Sequence, residues 1–294
     1  MEILLITLMI LLYTMQNFFT KRFSDYYPGK AENASHVYTM FCGILTAVVC
    51  FAFVGLNVIP TVPTLLFAVA NSVALAGYNI FIIKGAKTGP YSMVMVSAIA
   101  GGIFLPALIN SLFFKKNPTW QQIIAFVFII LAVYLMSRKD NDAKITNKSF
   151  FISCIIIAIC NGAYGTILNT QQTIVGVEQK EAMVAATFLI ASLISCVVTA
   201  AREKRGFVKA FKQTKLSFLF MTVAAASAAF AIFIFAWVLT VVDQNLVHTF
   251  NNSGVMLMSV IASAVFLKEK LSIKNIIGCA IMCVALMCVA IFAN

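Results

Sequence analysis

The stretch FFKKNPTWQQIIAFVFIILAVYLM, residues 113–136, returns 153 residues later as FLKEKLSIKNIIGCAIMCVALMCV, residues 266–289. Each copy is a charged elbow followed by a long apolar segment, and the two copies share five identities when they are aligned without a gap. An offset close to half of the chain indicates an internal duplication. We therefore expect two units, residues 1–145 and 146–294, and an inverted second unit if each unit crosses a membrane an odd number of times.

The composition indicates an integral membrane protein. Hydrophobic residues make up 62% of the chain, charged residues 11%, and the mean hydropathy is +0.97. Soluble domains have roughly 45–50% apolar residues. A helix needs about 20 mainly apolar residues to cross a bilayer. Ten such stretches are predicted: 3–20, 34–56, 61–83, 91–114, 119–137, 150–170, 182–201, 217–239, 246–267 and 273–292. The predicted fold class is an all-α membrane protein of ten transmembrane helices, arranged as two inverted five-helix repeats.

The distribution of basic residues predicts how the chain sits in the cell membrane. All but three of the 21 Lys and Arg residues follow odd-numbered spans, the exceptions being Lys115, Lys116 and Lys180. Because short cytoplasmic loops are enriched in Lys and Arg, the odd loops are expected in the cytoplasm and both termini outside it. The net charge of +11 is thereby explained by the membrane, and no nucleic acid is expected as a partner.

The ninth span has the strongest polar pattern. At 100° per residue, five polar side chains fall within about a third of the helix circumference. They are Gln244, Asn245, His248, Asn251 and Asn252. Amides in hydrocarbon must find partners, so this face is expected to contact protein or a water-filled cavity. A substrate cavity is favoured over a seam between helices, because polar groups at membrane depth are usually functional.

Shorter polar patterns complete the candidate substrate-binding set, and for each of them cavity and packing remain open. They comprise Tyr13 and Asn17 in the first span, Tyr78 and Asn79 in the third, and Asn161 and Tyr164 in the sixth. From the ninth span the set takes Gln244, His248, Asn251 and Asn252. At the matching positions the fourth span presents a largely apolar face, with Tyr91, Ser92, Met95, Ala98, Ile99 and Gly102. One polar and one apolar wall predict an amphipathic small-molecule substrate.

The sequence offers no residues for enzyme chemistry. All ten acidic residues fall at span ends or in loops, and no Ser/His/Asp group, metal-binding pattern or pair of carboxylates is evident. We therefore predict no catalytic residue, no metal and no cofactor. His248 is the one titratable side chain in the polar face of the ninth span, and without a buried carboxylate we expect a pH gradient to matter little.

The second elbow resembles a known family. FLKEKLS at 266–272, followed by Ile277 and Gly278, is similar to the signature of the EamA-like branch of the drug/metabolite transporter superfamily. In the first unit Lys116 stands in place of the Glu and Ala125 in place of the Gly. The resemblance implies an alternating-access carrier with a central cavity lined by both repeats and with the fifth and tenth helices at the periphery. Members of that branch usually have both termini in the cytoplasm, whereas the charges here predict the outside.

Three functions remain open at this point. The leading hypothesis is a secondary-active or facilitative transporter, for example an efflux protein, that moves amino acids or drug-like compounds. The alternatives are a flippase for lipid-linked sugars and a membrane scaffold that transports nothing. The expected partners are a small-molecule substrate and the lipid bilayer, with a monomer and a homodimer both open.

Overall fold

The computed structural model describes residues 2–55, 59–113, 119–137, 148–203, 207–238, 241–242, 244–268 and 272–291. These residues form ten long helices and, among them, no strand. The helices are Glu2–Tyr26 (α1), Ala31–Val54 (α2), Val62–Thr88 (α3), Tyr91–Phe113 (α4), Trp120–Ser137 (α5), Lys148–Ile174 (α6), Lys180–Arg202 (α7), Lys215–Val238 (α8), Gln244–Phe266 (α9) and Ile273–Ile291 (α10). The prediction of an all-helical chain is confirmed.

Several helix ends follow from the local sequence. Pro63 lies in the first turn of α3, where its missing N–H has no intrahelical partner to lose. Gly55 ends α2 with a φ of 64°, a conformation that is unfavourable for side chains with a Cβ. Past the apolar part of α1 the helix continues for another turn and a half, and there Lys21 and Asp25 form an ion pair of 2.8 Å at the favourable i, i+4 spacing.

The helices have the length and composition of membrane spans. Six of those described, α1–α3 and α6–α8, are long and apolar enough to cross a membrane. The apolar parts of the other four are shorter within the described residues: Tyr91–Pro106, Trp120–Ala132, Phe250–Phe266 and Ile276–Cys288. Large aliphatic side chains point outward, for example Leu66 at 68% exposure and Val197 at 67%. A soluble monomer rarely exposes so extended an apolar surface, so these helices indicate a membrane-embedded protein.

Helices from the two parts of the chain interlock. In the main contacts α1 packs against α8, α2 against α7, α3 against α6 and α7, and α4 against α6. In addition α5 packs against α10, and α9 lies against α1, α4 and α10. Buried side chains form one large core among α1–α4 and α6–α9 and a smaller one among α4, α5, α9 and α10. The larger core contains the site described below, and α5 and α10 lie outside it.

Polar contacts group the loops into two ends of the bundle. At one end the Lys30 ammonium lies 2.6 Å from a Glu203 carboxylate oxygen, and the Arg22 guanidinium donates a hydrogen bond of 2.9 Å to the Phe266 carbonyl. At the other end the Thr61 N–H donates to the Gln179 side-chain oxygen at 2.9 Å. The loops after α1, α7 and α9 therefore share one end, and the loops after α2 and α6 share the other.

Candidate functional site

A cavity of about 170 Å³ lies in the middle of the helix bundle. Side chains from seven helices line it, and none of them comes from α2, α5 or α10. Seven of the predicted site residues are among them: Tyr13, Asn17, Tyr78, Asn161, Tyr164, Asn251 and Asn252. These residues are far apart in the sequence, and the fold brings them together around one space.

The other three predicted site residues are not among the described lining residues of the cavity. Asn79 is 4% exposed in α3 and does not line the cavity, although its neighbour Tyr78 does. Consecutive residues of a helix point about 100° apart, and of these two only Tyr78 faces the cavity. The side chains of Gln244 and His248 lie outside the described part of the chain. Their assignment to the site stays a prediction.

The apolar wall of the cavity comes from α4, as its sequence predicts. Met95, Ala98, Ile99 and Gly102 line the space. The offset of 153 residues that aligns the two elbows also aligns Ala98, Ile99 and Gly102 with the lining residues Asn251, Asn252 and Val255 of α9. The corresponding faces of the two helices thus meet at the cavity, one apolar and the other rich in amides.

The first and sixth helices present matching faces in a register that the sequence comparison missed. Tyr13, Gln16 and Asn17 of α1 line the cavity with the same spacing as Asn161, Tyr164 and Gly165 of α6. Residue type alone would pair Tyr13 with Tyr164, which is about one helical turn away from this correspondence. Because a shift of one turn keeps a residue on the same face, the sequence identified the faces and not the register.

Close contact between α4 and α6 positions the amide of Asn161. A Cβ on Gly101 would overlap the backbone of Ala158, and a Cβ on Gly162 would overlap the Gly101 carbonyl. Small residues let membrane helices approach this closely. The contact brings the Asn161 amide within reach of α4, and its Nδ2 donates a hydrogen bond of 2.8 Å to the Ala98 carbonyl. Asn161 is therefore a fixed part of the cavity wall.

Most other polar groups of the cavity have no partner within the described protein. No described residue hydrogen-bonds to the side chains of Asn17, Asn252, Tyr13, Tyr78 or Tyr164. The side-chain oxygen of Asn251 is buried and likewise unpartnered. Gln16, like Asn161, does have a partner, because its amide donates a hydrogen bond of 3.4 Å to the Tyr38 hydroxyl.

Aromatic and aliphatic side chains that sequence reasoning missed fill the rest of the wall. Phe188 of α7 and Phe235 of α8 line the cavity, and the ring of Phe235 meets the ring of Tyr13 edge to face at 6.5 Å. Ala228, Ile232, Leu75 and Leu168 complete the apolar part. Sequence reasoning selected polar side chains as candidates, so these apolar residues were not distinguished from those that only pack between helices.

Two serines farther along α9, Ser259 and Ser263, do not belong to the cavity wall. Ser259 and Ser263 are buried but do not line the cavity, and the hydroxyl of Ser263 donates to the Val260 carbonyl at 2.8 Å. Among the described residues no three His, Cys, Asp or Glu side chains lie together in a group that could hold a metal ion.

A protein of known structure has a similar fold. The chain resembles one solved crystal structure of a protein with a TM-score of 0.61 and 12% sequence identity, over 98% of this chain and 97% of that one. At this identity the likeness concerns the fold alone. No protein-family model and no curated protein matches the sequence.

Proposed function

We propose that this chain is a secondary-active or facilitative transporter that carries small amphipathic molecules through its central cavity by alternating access. The observation that carries the proposal is the set of unpaired polar side chains in the bundle interior. An unsatisfied buried polar group costs about 1–3 kcal/mol. Lack of a pairing alone does not mark a site, since the buried amide of Asn71 is unpaired outside the cavity, and what distinguishes the cavity amides is that they border open space. Asn17, Asn251 and Asn252 have no such pairing among the described residues, and water or a ligand can satisfy them.

The pattern of helix contacts supports two interlocked units, residues 1–145 and 146–294. The counterpart of each helix in the first unit lies five helices later, so that α1 corresponds to α6 and α5 to α10. When every helix is replaced by its counterpart, the contact of α1 with α8 becomes that of α6 with α3, the contact of α4 with α6 becomes that of α9 with α1, and the contact of α3 with α7 becomes that of α8 with α2. All of these contacts occur. The replacement leaves three further contacts unchanged: α2 with α7, α4 with α9, and α5 with α10. Such a pattern is expected from a duplicated five-helix unit.

An inverted arrangement is supported by the loops that meet. The ion pair between Lys30 and Glu203 joins the loop after the first helix of one unit to the loop after the second helix of the other. Successive membrane helices run in opposite directions, so these two loops share an end only if one unit is upside down relative to the other. Inverted repeats around a central site are the architecture of many secondary transporters.

The family proposal rests on the same features. We place the chain with the EamA-like drug/metabolite transporters because of its elbow motif, its ten helices and the peripheral position of α5 and α10. Residues 269–271 of the elbow lie outside the described part of the chain. We also propose that the protein resides in the cell membrane with both termini outside the cytoplasm, which follows from the bias of its basic residues.

Gly165 offers a direct test of transport through the cavity. It lines the space, and a Cβ built on it would meet nothing within 4 Å. Leu at this position would occupy the cavity, while a side chain within a helix also removes the roughly 1 kcal/mol disadvantage of Gly. In proteoliposomes loaded with a panel of amino acids and heterocycles, we expect Gly165→Leu to retain the parent's thermal stability and to lose counterflow.

The matched control lies on the outer face of the same helix. Ile159 is 55% exposed, so Ile159→Leu changes only the lipid-facing surface. This variant should keep both stability and counterflow. Full counterflow by a stable Gly165→Leu protein would contradict the proposal that substrates pass through this cavity.

A further inference from the structure

The cavity has many hydrogen-bonding groups and, among its described lining residues, no charged side chain. Its polar groups are the hydroxyls of three Tyr residues and the amides of four Asn residues and Gln16. A ligand with a net charge would leave water without meeting an opposite charge. Burying an unpaired charge is much costlier than burying a neutral polar group that forms hydrogen bonds. The lining therefore favours an uncharged ligand.

Helix ends do not supply the missing charge. The cavity residues Asn17, Ile99 and Asn161 all lie more than a turn inside their helices, Glu2–Tyr26, Tyr91–Phe113 and Lys148–Ile174. Free N–H groups that bind carboxylates occur in the first turn of a helix. Among the described lining residues a zwitterionic amino acid thus finds an ionic partner neither for its ammonium nor for its carboxylate. This disfavours amino acids, which the sequence had suggested as substrates.

The polar and aromatic groups are suited to a flat ring with a polar edge. An Asn side chain presents a donor and an acceptor side by side, which is the pattern that reads the edge of a nucleic-acid base. Asn17, Asn251 and Asn252 offer such groups without a protein partner that would compete. Unstacked bases are commonly held against aromatic side chains, and here the rings of Tyr13 and Phe235 are available.

We infer, on the basis of the proposed transport function, that the substrate is a neutral planar heterocycle with donors and acceptors on its edge, the chemistry of a free nucleobase. The volume is consistent with this size, since the cavity of about 170 Å³ is only slightly larger than a cavity of about 150 Å³ that holds benzene. One or two fused rings fit such a space.

The test uses the full-length protein in liposomes. Counterflow of labelled adenine and uracil is compared with that of phenylalanine, tetramethylammonium and adenosine. We expect exchange of the two bases alone. Xanthine adds a test of charge on a single scaffold, because it loses a proton near neutral pH. Its exchange should fall as the pH rises through that ionisation, whereas adenine, which stays neutral in this range, should exchange at a constant rate.

One substitution tests the same idea from the protein side. Asn252→Asp keeps the shape of the side chain and adds a carboxylate to the cavity wall. We expect a loss of base exchange of about tenfold or more, since one amide donor is removed and a charge is buried beside the ligand, together with new exchange of tetramethylammonium. The control is Asn79→Asp on helix α3, which is buried but outside the cavity, with the thermal stability of both variants measured in detergent.

The outcomes separate the substrate class from the transport function. Exchange of phenylalanine or tetramethylammonium by the parent protein, without exchange of bases, overturns the nucleobase inference and leaves the transporter proposal standing. Base exchange that Asn252→Asp does not alter overturns the assignment of the bases to this cavity. No exchange of any compound in the panel overturns the transporter proposal, and the inference with it.

Discussion

Lys30 and Glu203, at opposite sides of a gap of 173 positions in the sequence, form an ion pair of 2.6 Å that fastens the loop after α1 to the end of α7. Asn33 donates a second hydrogen bond to the same carboxylate oxygen at 3.2 Å. Close by, the hydroxyl of Tyr27 donates to the Ala210 carbonyl at 2.5 Å, so the two loops are joined at two places. Burial of the Tyr27 phenol, together with the nearby negative charge of Glu203, raises its pKa to about 12, and it remains a donor at physiological pH.

The stability of this junction should depend on pH. Hydrogen bonds from Lys30 and Asn33 lower the pKa of the Glu203 carboxyl below its usual value. A lowered pKa in the folded state means that the carboxylate stabilises the protein above the pKa of the unfolded chain, and that this contribution is lost as the pH falls through the lower, folded value. We expect Glu203→Gln to lower the melting temperature at pH 7 and the difference from the parent to vanish in acid.

A carboxylate at the other end of the bundle provides the comparison. Glu178 is exposed and has no ion pair among the described residues, so Glu178→Gln should leave the melting temperature unchanged at both pH values. Because ions screen the attraction between partly exposed charges, the effect of Glu203→Gln should also shrink in high salt. If Glu203→Gln lowers the melting temperature equally at pH 7 and in acid, the charge of the Glu203 carboxylate does not contribute to stability.

Two glycines at equivalent positions should respond differently to alanine. A Cβ on Gly101 would overlap the backbone of Ala158, whereas a Cβ on Gly254 would meet the end of the Ile10 side chain at 2.5 Å. Backbone cannot move aside as a side chain can. We expect Gly101→Ala to destabilise the protein by about 1–3 kcal/mol, and Gly254→Ala by less than about 1 kcal/mol, since better helix propensity offsets part of its clash. Thermal unfolding in detergent measures both, and equal losses would contradict the close contact of α4 with α6.

Replacing both Asn251 and Asn252 with Leu should impair transport and not folding. Neither the side-chain oxygen of Asn251 nor the side chain of Asn252 forms a hydrogen bond with a described residue. An apolar replacement therefore leaves no group of the fold without its hydrogen-bond partner. Substrate affinity should fall by about 1–3 kcal/mol, tenfold or more, because hydrogen bonds to the ligand are lost. Counterflow as a function of substrate concentration measures this change.

Asn161→Leu is the counterpart of that variant. Asn161 donates to the Ala98 carbonyl, so its loss should cost about 0.5–1.5 kcal/mol of stability.

A double Leu variant at Asn251 and Asn252 with parental stability and undiminished counterflow would contradict the assignment of the α9 amides to the substrate.

The orientation in the membrane can be tested with reporters. A phosphatase that is active only outside the cytoplasm should be active when fused after Asn294, and a fluorescent protein that folds only in the cytoplasm should stay dark there. The same reporters inserted within residues 140–142, after the fifth helix, should behave in the opposite way, with an inactive phosphatase and a bright fluorescent protein. A glowing C-terminal fusion would overturn the orientation that the charges predict.

The sequence predicted the helices well because the cause is local. A run of about 20 apolar residues has to satisfy its backbone hydrogen bonds internally in a membrane, and this leaves the helix as the only choice. The polar faces of α1, α6 and α9 were likewise visible, since amides at membrane depth are rare. The match of Ala98, Ile99 and Gly102 to the lining face of α9 followed from the offset between the two elbows.

What the sequence could not predict depends on contacts between distant segments. Phe188 and Phe235 are apolar residues in predominantly apolar helices, so their place in the cavity wall appears only when the neighbouring helices are known. Asn79 was included because of its residue type, although Tyr78 is the one whose direction leads to the cavity. The ion pair of Lys30 with Glu203 joins loops that have no common pattern.

The interlocking of the helices has a consequence for how the protein is made. Most of the main contacts of α1–α5 are with helices that follow them in the chain: α1 with α8, α2 with α7, α3 and α4 with α6, and α5 with α10. When the ribosome has finished the first five helices, their partners do not yet exist. The amides and hydroxyls of Tyr13, Asn17 and Tyr78 then face lipid or the insertion machinery. The contacts of the first half can therefore form only as the second half is synthesised, beginning with α6 for α3 and α4 and ending with α10 for α5.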